Sequence, residues 1–100
     1  MDRELLAHHY AVWTAIDEIA GQVGMSRWSL AQHCGLDPTT FNPSKRVSVN
    51  GLPRWPSSET IATILIATGT SWAEWGIYLD QMKKMYVHPE GGTVSDGYAS

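Results

Sequence analysis

The chain predicts an all-α domain with five helices and no credible strand. Three observations carry this. Apolar residues recur at steps of three and four over two long stretches. Cap-forming Ser and Asp residues stand before four of the five helical segments. Gly, Pro and Asn-Gly punctuate the intervals between them.

The first helix is expected over Tyr10–Val23, where Val12, Trp13, Ile16, Ile19, Ala20 and Val23 share one face. Residues 1–9 are a polar lead-in able to join it, and Gly24 stops it. Ser26 caps a short second helix over Arg27–Cys34, with Leu30, Ala31 and Cys34 inward. Gly35 turns the chain. Asp37 caps a third helix with Pro38 at its first position, where a missing N–H costs nothing. Phe41 is that helix's single large apolar residue and should plug the core. Pro43 sets a limit: the helix should end or kink near Asn42, with Pro43 opening a further turn through Arg46.

Val47–Pro56 reads as a loop, with Asn50-Gly51 and two prolines. Ser57 or Ser58 caps a fourth helix over Ser58–Thr68, closed by Gly69. Ser71-Trp-Ala-Glu74 has the form of a capping box and opens the fifth. Its stripe is Trp72, Trp75, Leu79, Met82 and Tyr86. Trp13, Phe41, Trp72 and Trp75 are the expected core aromatics. Residues 1–86 thus make one domain, and the polar, Gly-rich residues 87–100 read as a disordered, flexible tail.

One hundred residues allow one domain with a modest core, and 43% are hydrophobic, five of them Trp. The net charge is −3, which argues against a binder of polyanions by bulk charge. The charge is uneven, however. From Arg27 to Pro56, Arg27, Lys45, Arg46 and Arg54 stand against Asp37 alone, a balance of +3 that leaves −6 for the remainder. A local positive face on an acidic body suits docking on phosphate. The single cysteine, Cys34, fits a reducing cytosol and is expected to be a small buried apolar residue. The start of the chain does not read as a signal peptide, and the apolar run near Ile61–Ala67 is too short to span a bilayer. A cytoplasmic protein is expected, nucleoid-associated when on DNA.

Arg27–Arg46, RWSLAQHCGLDPTTFNPSKR, has the layout of a helix-turn-helix reader of DNA. Ala31 is the small residue where the two helices pack. Gly35, four residues on, makes the turn, and Phe41, six further, anchors the second helix. Leu30, Cys34 and Leu36 fill the remaining apolar slots. Here the chain resembles the phage lambda repressor/Cro-like (XRE-type) superfamily. GLDPTTFNPSKR followed by GLPRWPSSETIATILIATGTSWAEW is similar to the N-terminal DNA-binding domain of phage-repressor-type regulators found in bacteria. The resemblance covers roughly Val12–Leu79 and implies a compact lambda-repressor-like domain. The peptidase domain that follows in many relatives cannot be carried over to these residues.

The resemblance implies that the second helix of the motif enters the major groove. Its outward set, and so the expected base contacts, is Thr39, Thr40, Asn42, Ser44, Lys45 and Arg46. Asn pairs bidentately with adenine, Lys or Arg with guanine, and Thr meets thymine. Arg27, Gln32, Arg54 and Trp55 are the expected phosphate contacts, which position without reading sequence. Leu79, Met82 and Tyr86 are the expected homodimer contact. The expected function is a sequence-specific double-stranded DNA-binding regulator, a repressor acting as a homodimer on a two-fold operator. The alternative is a protein-interaction module, an antitoxin or anti-activator, using the apolar face of the last helix. Neither a cofactor, a metal nor an enzymatic role is expected. His8, His9, His33 and His88 show no ligand spacing with Cys34, and Gly21-Gln-Val-Gly24 matches an RNA-binding GXXG loop by letters only.

Overall fold

The computed structural model describes residues 2–87. It is all-helical, with four α-helices: α1 (Arg3–Gln22), α2 (Arg27–His33), α3 (Ser58–Thr68) and α4 (Trp72–Lys84). A single 3-10 turn, Pro43–Lys45, lies between α2 and α3. The expected tail lies outside the described residues except for Val87. No helix among the described residues is long and apolar enough to cross a membrane.

The first helix begins well before Tyr10. Asp2 caps it, its Oδ1 accepting from the backbone N–H of Glu4 at 2.8 Å. The lead-in is therefore helical. The other caps follow the sequence. Ser26 Oγ accepts from Ser29 N, Ser57 Oγ from Thr60 N, and Ser71 and Glu74 form a complete capping box.

The fold departs from expectation at the third of the five expected helices: the one expected from Asp37 is absent. After α2, Gly35 takes φ +74°, which lets Leu36 N reach Ala31 O at 2.9 Å and reverses the chain. The Asp37 carboxylate accepts from Thr39 N at 2.9 Å, as a cap would, but no α-helix starts there. The bonds that follow are one residue too short for an α-helix: Thr40 N to Asp37 O and Asn42 N to Thr39 O. Pro43 has no N–H to donate to Thr39 O, and its ring drives Asn42 out of the helical region, to ψ 146°. The chain restarts at Pro43 and makes one 3-10 turn, closed by Arg46 N on Pro43 O at 3.1 Å. The division at Pro43 is as anticipated, but Pro38–Asn42 is a pair of turns rather than a short helix.

Trp13, Ile16, Ile19, Leu30, Ala31, Phe41, Ile64, Leu65 and Trp75 form the core. Phe41 is fully buried although its backbone is a turn. Burying such a ring stabilises by about 1.5–3 kcal/mol, which fixes the turn where a helix would have been held by its own ladder. The long α1 is the central element, and α4 packs along it. Trp72 is not core: at the first position of α4 it is 60% exposed. Trp72 shares a face with Trp75 by its i, i+3 spacing, so its place at the very start of α4, not the helical period, leaves it in solvent. Cys34 is half-buried, and that burial pushes its thiol pKa up.

Candidate nucleic-acid interface

The segment after α2 carries most of the expected readers. Thr39 and Thr40 are half-buried. Their hydroxyls donate locally, Thr39 Oγ1 to Asp37 Oδ1 and Thr40 Oγ1 to the Asp37 carbonyl. Each keeps its acceptor lone pairs and its methyl for another molecule. The Thr39 hydroxyl, and then its backbone N–H, holds the Asp37 carboxyl below the usual carboxylate range. Asn42 and Ser44 follow, with side chains that hydrogen-bond to nothing among the described residues. Lys45 is exposed beside them, and its charge adds a little to the lowering at Asp37.

Arg46 does not belong to that set. Its guanidinium is turned inward and its side chain is 14% exposed. Nη1 and Nη2 donate to Asp17 at 3.1 and 2.8 Å, and Nη2 donates also to the Phe41 carbonyl at 2.9 Å. The cation lies 5.3 Å from the Trp13 ring centre. Arg46 is thus a strut between α1 and the turn that follows α2, unable to reach a base edge without breaking that pair. Arg27 meets the same carboxylate from the other side, Nε at 2.9 Å and Nη2 at 3.3 Å, with its outer edge open to solvent. Burial works against the Asp17 charge. The hydrogen bonds from Arg46 and Arg27 outweigh it and hold the carboxyl below its ordinary range.

Asp17 comes from α1, outside the basic segment in sequence and inside it in space. Adding it lowers the formal balance of the face from +3 to +2. Lys45 and Arg54, both exposed, are the cations of the face with no carboxylate partner among the described residues, and Arg27 keeps only its outer edge.

A backbone clamp fixes this face on α1. Trp13 Nε1 donates to the Arg54 carbonyl at 2.8 Å. His9 Nε2 lies 2.9 Å from the Arg46 carbonyl and 3.0 Å from that of Arg54. Both partners are acceptors, so this nitrogen carries the proton. Arg54 N donates to Arg46 O at 2.9 Å, joining the two ends of the intervening loop. Trp55, half-exposed, sets its ring edge-on to His9 at 5.3 Å. On α2, Gln32 is exposed with no side-chain partner among the described residues, and His33 Nε2 ties the end of α2 to the Ala67 carbonyl of α3 at 3.2 Å.

The three expected dimer residues lie elsewhere. Leu79 and Met82 pack against the monomer core, and the Tyr86 ring rests 5.3 Å from that of Tyr10 on α1. They complete the α1–α4 contact because α1, extended to Arg3, is long enough to cover the late stripe of α4.

His9, Asp17 and Trp28 escaped the sequence reading. His9 and Asp17 act through partners 10 to 45 residues away, which no local pattern signals. Trp28, half-exposed on the first turn of α2, could have been noticed as an aromatic off the inward face set by Leu30 and Ala31. Among the described residues no group of His, Cys, Asp or Glu is placed to hold a metal ion. No family model, curated protein or solved structure matches the chain.

Proposed function

We propose that this protein is a sequence-specific double-stranded DNA-binding regulator of the lambda-repressor/Cro-like kind. It acts as a repressor by occluding a promoter, as a homodimer on a two-fold operator. One observation carries the reading: Asn42, Ser44 and Lys45 present polar side chains with no hydrogen-bond partner among the described residues, from a turn whose backbone is clamped to α1, and Arg54 has no carboxylate partner among them either. A clamped backbone needs little ordering on docking, and the free polar side chains it carries suit base edges in a major groove. Thr39 and Thr40 join the reading set through methyl and acceptor contacts. Gln32, Arg54, Trp55 and the open edge of Arg27 contact phosphate. Arg46 is a positioning residue.

Leu79, Met82 and Tyr86 are only partly buried, and what remains exposed of them is one surface for the homodimer. The elbow between α3 and α4 supports a second, with Ile66 83% exposed close to Trp72. Dimers on such operators place half-sites about one helical turn, roughly 34 Å, apart.

Selection from a random duplex pool followed by mobility shifts at two salt concentrations tests the reading. Asn42→Ala or Thr40→Ala should cost about 1–3 kcal/mol and relax preference at one position. Arg54→Ala should weaken all sequences alike and lower the salt slope by about one unit. Binding that is neither salt-sensitive nor sequence-preferring refutes it. The exposed Trp72 and Ile77 of α4 then favour the protein-interaction module instead.

A further inference from the structure

The loop between the candidate reader and α3 is a built object. Its stem is closed by Arg54 N on Arg46 O at 2.9 Å and by the antiparallel bridge between Val47 and Pro53. Above the bridge Ser48 N donates to Leu52 O at 2.8 Å, and Gly51 N to Ser48 O at 2.9 Å. Ser48 Oγ accepts from the backbone of both Asn50 and Leu52. Gly51, at φ +78°, allows the reversal without strain. The base is pinned to α1 by His9 and Trp13. A short hairpin thus projects from the same backbone that carries Lys45 and Arg54.

Its projecting side chains are apolar. Val49 is fully exposed and Leu52 is 62% exposed, and the Asn50 amide has no partner among the described residues. A rigid apolar tip gains nothing from water. The surroundings narrow its partner. No Asp or Glu occurs between Asp37 and Glu59, while the exposed Lys45 and Arg54 do; Arg46, between them, is taken up by Asp17. A segment free of carboxylates, with cations at its stem, is complementary to a polyanion. Apolar side chains on such a segment fit the sugar walls and base steps of a minor groove, and Asn fits its A·T edge.

We propose that residues 47–53 form a wing that enters the minor groove beside the major-groove contacts. Val49 and Leu52 lie against the sugar walls and Asn50 lies on the A·T edge; this rests on the DNA-binding reading above. The test uses the full chain and the tightest duplex recovered from a random pool, with dimethyl sulfate probing. Methylation at adenine N3 reports the minor groove, and at guanine N7 the major groove. The wild type should protect adenine N3 at positions flanking protected guanine N7. Val49→Ser/Leu52→Ser should lose the N3 protections, keep the N7 protections and the salt slope, and bind about tenfold more weakly, the scale of one buried apolar side chain.

Absent N3 protection in the wild type, or identical patterns in wild type and variant, overturns the wing and leaves the DNA-binding reading standing. A change in sedimentation of the variant without a change in footprint overturns it too, because the tip is then a contact between copies. A wild type that selects no duplex overturns the DNA-binding reading, and the wing with it.

Discussion

Replacing Asp17 by Asn should destabilise the fold more than any other single polar change at this face. Four N–H groups converge on its carboxylate, two from Arg46 at 2.8 and 3.1 Å and two from Arg27 at 2.9 and 3.3 Å. Removing one partner of a fully buried pair costs about 3–5 kcal/mol. The Asp17 side chain is 25% exposed, and an amide keeps one acceptor oxygen, so the expected loss is about 2–3 kcal/mol. The Arg27 share is small, because that side chain is largely in water. For a domain this size the loss would lower the urea midpoint by about 2 M.

The deficit should depend on pH. The folded-state pKa of Asp17 lies below its ordinary value of 3.8, so the stabilisation is fully present above that value. It is lost as the pH falls through the folded pKa, where wild type and variant both carry a neutral group. Urea unfolding followed by Trp fluorescence, from about pH 7 down to about pH 2, should show the two curves converge. A loss below about 0.5 kcal/mol at neutral pH, or one that persists undiminished in acid, refutes the argument that the Asp17 charge holds Arg46 and the turn in place.

Two further changes test the frame around the candidate site. Trp13→Phe keeps the ring in the core but removes the donor to the Arg54 carbonyl, and should cost about 0.5–1.5 kcal/mol; amide exchange at Arg54 should quicken with it. Gly35→Ala meets open space but must hold φ +74°, so it should lose about 1–2 kcal/mol in thermal unfolding, and no loss would show that the turn can relax.

What the sequence determined was local. Ser26, Ser57 and the Ser71–Glu74 box set where helices start, because a cap and its N–H lie within three residues. Gly35 set the turn and Pro43 the break, because each acts on its own dihedral or its neighbour's. The apolar period marked Trp75 as buried, and Phe41 stood out as the single large apolar residue of its segment. Only the tertiary structure decided what those faces meet. A stripe of Leu79, Met82 and Tyr86 says that one side of a helix avoids water, not whether α1 or a second chain covers it. Within the monomer, the length of α1 lets it cover part of that stripe. Likewise Arg46 and Lys45 are adjacent cations in sequence. One becomes a strut and the other stays in solvent because Asp17, 29 residues earlier, faces only one of them. Charge partners, and the His9 and Trp13 clamp, depend on how helices pack, and that packing is a property of the whole core, which no short window of sequence contains.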